Sequence, residues 1–250
     1  MARYDFRTPR LHLETAMATG ASVVLDRAQA NYLVNVLRLG AGGSVLVFNG
    51  RDGEWRAEIV AEGHKRTALV VREQARPQTP PGDLHYLFAP LKHARLDYMV
   101  QKAVEMGASR LHPVLTRRTQ PQRINLARMR ANAIEAAEQC GILTIPEIVD
   151  PVGLAAVIAA WPPARLLVFC DEDAEGVEPL SALAAARARA PDSPIAVLIG
   201  PEGGFADEER AALLALPNVV RLSLGPRILR ADTAAVAALA LVQAVLGDWR

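Results

Sequence analysis

The chain is short of several residue types, and each shortage rules something out. Its two cysteines, Cys140 and Cys170, have neither metal-ligand nor disulfide-framework spacing, which excludes a disulfide-stapled scaffold and points to a reduced compartment. Five histidines form no ligand cluster, so no metal is expected. No apolar run approaches the ~20 residues that span a bilayer, and the opening MARYDFRTPR has no signal-peptide core, so no membrane partner is expected. Neither GxGxxG nor GxxxxGK followed by Ser or Thr occurs, so both nucleotide fingerprints are missing. Internal repeats and low-complexity tracts are also absent. What remains is a soluble, cytoplasmic protein of 250 residues, with 51% hydrophobic residues to fill a core.

Lysine is scarce too, at 3 against 25 arginines, but the arrangement of charge says more than its kind. Lys92 to Arg130 holds nine basic residues against Asp97 and Glu105, whereas Ala131 to Arg210 holds fourteen acids against four bases. The net charge of +1 hides this asymmetry. A basic third beside an acidic third fits a polyanion partner on one face, or a solvated helix face with its counter-charges elsewhere.

Residues 1–75 read as β-rich. SVLVFNG (44–50), EWRAEIVAEG (54–63) and TALVVRE (67–73) are strand-like, with one short helix expected from about Ala28 to Leu37, apolar through Tyr32, Leu33, Val36 and Leu37. This is a small barrel-like module. Residues 76–83, which include the prolines of RPQTPPG, read as a linker. Over 84–250 short apolar strands alternate with helices, the pattern of a parallel sheet covered on both faces. The last helix, DTAAVAALALVQAVL from Asp232 to Leu246, is apolar all round, and Asp232 or Thr233 can cap it.

Two strand-to-helix loops carry the chemistry. In LIGPEGGFADEER (198–210) Glu202 repels a pyrophosphate, and Asp207, Glu208 and Glu209 occupy the helix start where an anion sits in phosphate loops. Backbone freed by Gly203 and Gly204 can instead read the edge of a purine. S-adenosylmethionine, with an adenine and a cationic sulfonium but no phosphate, suits such a loop; a plain strand-to-helix turn is the other reading. LSLGPRILRADTA (222–234) is a second loop of the same kind, with Arg227 and Arg230, and the two can form one crevice at the carboxyl ends of strands.

Together, LIGPEGGFADEE and LSLGPRILRADTAAVAAL resemble the signature of the bacterial 16S rRNA uracil-N3 methyltransferases, of the knotted SPOUT class. LKHARLDYMVQKAVEMGASRLHPVLTRRTQ and ANAIEAAEQCG resemble that family's earlier catalytic-domain blocks, and RLHL with NYLVNVLRLGAGGSVLVFNG its small PUA-like RNA-binding barrel. The resemblance implies an α/β protein with a PUA-like β-barrel at 1–75 and a parallel-sheet SPOUT methyltransferase domain at 84–250 closed by a trefoil knot. It also implies a homodimer. S-adenosylmethionine is expected to contact Leu198, Gly200, Pro201 and Gly203 on the first loop. On the second loop the expected contacts are Leu222, Ser223, Leu224, Gly225 and Leu229, with the loop after Cys170 closing the pocket. The sequence departs from the family in having Ala231, Asp232, Thr233 for Thr-Glu-Thr, and Gly141 and Ile142 where an arginine commonly follows.

The implied reaction is methylation of a specific uridine of 16S rRNA in the small ribosomal subunit. Uracil N3 lies on the Watson–Crick edge, so the base must be unpaired or turned out. Arg230 is expected to stabilise the anion that develops as the N3 proton leaves, and Glu202 to accept that proton. Arg7, Arg10, Arg38, Lys92, Arg117, Arg118 and Arg123 are the candidate phosphate contacts. Two other readings are a knotted methyltransferase acting on a ribose hydroxyl or another base, and an inactive RNA-binding assembly factor.

Overall fold

The computed structural model describes residues 5–62, 66–120, 123–174 and 178–249. Residues 121–122 of the loop RRTQPQR and 175–177 of the loop after Cys170 therefore lie outside the described residues. The chain divides into two compact units, residues 1–81 with 134–145 and residues 82–133 with 146–250.

The first unit is a five-stranded sheet. Its elements are β1 (Arg10–His12), β2 (Ser22–Val24), α1 (Arg27–Ala30), β3 (Ser44–Phe48), β4 (Glu54–Glu62) and β5 (Arg66–Arg76), in the strand order β1-β3-β4-β5-β2. Only the β1–β3 pairing is parallel. Val45, Val47, Ala57, Ile59, Leu69 and Val71 face one core, as the two-residue strand period dictates. Leu46 and Phe48 are buried as well, which is why β3 reads as an unbroken apolar run.

The helix expected at 28–37 is different. A capping box between Asp26 and Gln29 starts α1, but from Asn31 to Val36 the turns widen to a π-helix. Leu37 N donates to Tyr32 O and Leu39 N to Leu33 O, both at 2.9 Å. The wider turn carries the apolar positions off a single face, so Leu33 is buried while Val36 is 61% exposed. Arg38 ends the turn in the left-handed region, at φ 55°.

Arg10 is a correction. Its side chain is buried and its Nε donates to Glu54 Oε1 at 2.8 Å. Arg76 Nε holds the other oxygen of Glu54 at 2.7 Å and Arg76 Nη2 donates to Gly141 O at 2.9 Å. Burial opposes ionisation of Glu54, but the two guanidiniums outweigh it and hold the carboxyl below its ordinary range. Arg10 is thus committed to an internal charge and does not offer itself to a phosphate.

The second unit is a parallel sheet. It contains β6 (Leu84–Phe88), α2 (His93–Glu105), β7 (Arg110–Leu115), α3 (Leu126–Cys140), β8 (Glu147–Ile148), β9 (Val152–Gly153) and α4 (Leu154–Ala159), with α3 counted in the first unit from residue 134. β10 (Leu166–Cys170), α5 (Pro179–Arg189), β11 (Ile195–Ile199), α6 (Asp207–Leu214), β12 (Val219–Leu222) and α7 (Ala231–Val245) follow. The strand order is β12-β10-β11-β6-β7-β8, with β9 also beside β7. Each pairing is parallel, so the loops after β10, β11 and β12 open side by side at one edge of the sheet. One face is filled by Leu87, Val114, Leu167, Phe169, Ala196 and Leu198 against α4, α6 and Phe205.

α7 packs against α2, α5 and β11 through Ala231, Ala234, Ala235, Ala238, Leu239 and Val242. Small residues let it approach closely. It starts at Ala231, so neither Asp232 nor Thr233 is its cap; Arg230 is, through its backbone alone, and Asp232 accepts from Thr233 N at 2.9 Å. Buried Gln243 ties the far end to α2 by donating to Met106 O at 2.6 Å. Among the described residues no helix is long and apolar enough to cross a membrane.

Candidate active site

Two cavities meet where the strands end. The first, about 510 Å³, is lined by Cys170, Asp171, Glu172 and Ala174 after β10, by Ile199 to Glu202 with Gly204, Phe205 and Arg210 after β11, and by Leu222 to Leu229 with Ala231 and Ala234 after β12. Of the expected donor contacts, Cys170, Gly200, Pro201, Leu222, Ser223, Leu224, Gly225 and Leu229 are all in this wall. Leu198 stands behind it: its side chain is 1% exposed in the core and its backbone is within the β11 ladders. Gly203 lines the second cavity instead.

The glycines answer to close approach. A Cβ on Gly200 collides with the ring of Phe205, which is buried edge-on against Phe169 with centroids 5.1 Å apart. Gly204 has φ 68°, and a Cβ there meets the Glu172 carboxylate. The loop is therefore pulled down over its own aromatic anchor, in a shape no side chain permits. Burial, then the neighbouring Asp171 carboxylate, push the Cys170 thiol up to about 12, so it is no nucleophile at neutral pH.

The second cavity, about 460 Å³, is lined by Pro90, Leu91, Lys92, Arg95, Arg118 and Gln120 with Pro201, Glu202, Gly203 and Arg230. Pro201 and Glu202 belong to both walls. Along 229–231 the chain alternates, Leu229 and Ala231 on the first cavity and Arg230 on the second. Glu202 is ion-paired with Arg95, Nη1 to Oε1 at 2.5 Å, and Arg118 Nη1 donates to Gly203 O at 2.8 Å. Lys92 and Arg230 are exposed, and neither has a side-chain partner among the described residues.

The remaining candidate cations do not gather here. Arg117 is engaged by α6, its N donating to Glu209 at 2.7 Å and its Nη1 to Glu208 at 3.1 Å. Arg123 is exposed and lines neither cavity, and Arg7 and Arg38 are exposed on the first unit. Sequence reasoning named the loop after Cys170 but not Asp171 or Glu172 within it, and it missed Arg95 and Arg210. Arg95 left a signal, one helical turn beyond Lys92 at the start of α2.

The pattern of an RNA methyltransferase domain matches residues 78–243, and that of an RNA methyltransferase PUA domain residues 25–71. The chain is 31% identical to ribosomal RNA small subunit methyltransferase E of Synechocystis, covering 90% of this chain and 74% of that one. The chain belongs to this methyltransferase family. The protein of the same name from Rickettsia conorii is 28% identical over 94% of each chain. A putative methyltransferase of Legionella pneumophila, solved with the bound cofactor S-adenosylmethionine, superposes with a TM-score of 0.80 at 28% identity, over 95% of this chain and 98% of that one. With membership goes the fold class: an α/β, parallel-sheet RNA methyltransferase domain and a small N-terminal PUA-like sheet.

Proposed function

We propose that this family member transfers a methyl group from S-adenosylmethionine to N3 of a uridine in the 16S RNA of the small ribosomal subunit, as a cytoplasmic homodimer. The observation that carries the reading is the pair of cavities with one shared wall, one of glycine backbone and apolar groups with an acidic margin, the other rich in cations. The first has the size of an ordinary small-molecule site, roughly 300–1,000 Å³. Its residues fit this donor. Glycine backbone is open to an adenine edge, and Arg210 is committed to Asp171 and Asp173, which leaves Arg227 as the single uncommitted cation of this wall among the described residues, too few for a phosphate chain. The cofactor seen in the Legionella relative supports the same assignment.

When bound, S-adenosylmethionine supplies an electrophilic methyl group; the chain supplies the rest. The second cavity takes a base turned out of its stack. Arg230, permanently charged, stabilises the uracil oxygens as the N3 proton leaves, and its basicity excludes it as the base. Glu202 is on the shared wall and accepts the proton, held by Arg95. Lys92 and Arg118 hold flanking phosphates, with Arg7, Arg38, Arg117 and Arg123 as further RNA contacts.

The test is methyl transfer from labelled S-adenosylmethionine to small subunits lacking the modification. Label in 3-methyluridine at one 16S site is expected. Label in another nucleoside moves the target to a ribose or another base; donor binding without transfer means a different RNA substrate, and RNA binding without donor binding leaves an RNA-binding factor. Light scattering that gives a monomer mass removes the homodimer.

A further inference from the structure

We propose that Asp171 is a positioning residue for the first cavity, one buried carboxylate that sets the mutual placement of the three loops forming it. The inference rests on the donor reading above. Asp171 follows β10, the strand between β12 and β11, and its side chain is 1% exposed. Oδ2 accepts from Arg221 of β12, Nε at 3.0 Å and Nη2 at 2.7 Å. Oδ1 is 3.2 Å from Nε of Arg210 on α6.

The same two arginines grip the loop a second time. Arg221 Nη2 donates to Asp173 O at 3.0 Å, and Arg210 Nη1 is 2.5 Å from the Asp173 carboxylate. Within the loop, Asp173 N donates to Asp171 Oδ1 at 3.3 Å and Ala174 N to Asp171 O at 3.2 Å. Each cavity loop borders this node. Residues 171–174 contain it, 200–206 lead into the helix that carries Arg210, and 223–230 leave the strand that carries Arg221.

Directional guanidinium–carboxylate bonds fix angles as well as distances. The two arms of the node are unequal. Arg221 makes two aligned hydrogen bonds to Asp171, whereas Arg210 Nε is buried near Asp171 without one and its firmer contact is with Asp173.

The experiment is calorimetric titration of S-adenosylmethionine into wild type, Asp171→Asn, Arg221→Gln and Arg221→Lys, with steady-state methyl transfer in which donor and RNA are each varied while the other is saturating. Asp171→Asn and Arg221→Gln are expected to raise the donor Kd and KM about tenfold or more, with kcat at saturating donor within about threefold and the KM for RNA unchanged. Arg221→Lys recovers part of the donor affinity by restoring the charge without the fork. Should Asp171→Asn fail to fold, Arg210→Gln, whose side chain is 19% exposed, carries the same test. Unaltered donor affinity in folded variants, or a loss of kcat with donor KM unchanged, overturns the node. Absence of binding by wild type overturns the donor reading instead, and is recognised because wild type is titrated first.

Discussion

The two cavities share Pro201 and Glu202 and differ in almost everything else. On the donor side Asp171 and Arg210 are spent on one another and on their neighbours Arg221 and Asp173, Glu172 and Arg227 stay without a side-chain partner among the described residues, and the loop after β11 is glycine backbone held over Phe205. On the other side Lys92 and Arg230 are unpartnered among the described residues, and the one carboxylate, Glu202, is tied to Arg95. A pocket whose loops are tied together by buried ion pairs suits a small ligand that must be held in one pose. A rim of uncommitted cations suits a polyanion that arrives from solution and must leave again.

The difference breaks most sharply at Gly200. Gly200→Ala drives a methyl group into a buried ring; overpacking of about 1–3 kcal/mol destabilises the fold, and the loop shift that relieves it is expected to lower donor affinity about tenfold or more. RNA affinity, measured by filter binding, stays near wild type. Equal loss of both ligands would mean that the loop serves the RNA as much as the donor. Arg230→Ala has the opposite signature. Removing one transition-state charge partner lowers kcat by about 10²–10³, with the donor Kd unchanged by calorimetry.

How much of this was legible depends on where each partner lies in the chain. The glycine loops could be read directly, because a backbone that must lie bare is written into local composition, as at Gly200 and Gly204. The node at Asp171 could not be, since Arg221 is 50 residues away and comes near only through the β10–β12 pairing. Arg10 fails for the same reason: it resembles any surface arginine until Glu54, 44 residues on, is found beside it. Local rules placed a helix at 28–37, where the structure has one, but not its type, since from Asn31 the backbone takes wider turns. The two-residue strands β8 and β9 are too short for any period to register.

A smaller effect sharpens the cationic side. Lys92→Ala is expected to weaken RNA binding about three- to fivefold and to flatten the salt dependence by about 0.7 in the log–log slope, one phosphate contact on single-stranded RNA. Donor binding is unchanged. If the slope stays the same, Lys92 touches no phosphate and the rim is carried by Arg118 and Arg230.

The smallest expected effect lies away from both cavities and tests whether their pH response is their own. Burial, then the charge of Arg165, depress His85 to about 4, and burial, then Arg110, lower His112. In the unfolded chain both take a proton near the ordinary value of 6.5. Unfolding therefore binds protons between about 6.5 and 4, so the stability these residues contribute is complete above that window and is lost as pH falls through it. Both side chains are partly solvated, so the loss between pH 7 and pH 5 is put at about 1 kcal/mol, measured by urea unfolding. Glu54 acts lower: its depressed carboxyl keeps its contribution above the ordinary 4.5 and loses it only as pH falls further. His85→Gln should flatten stability between pH 7 and 5 while leaving the fall below 4.5 intact. If activity also declines between pH 7 and 5 in that variant, the decline belongs to the cavities and not to the sheet beneath them.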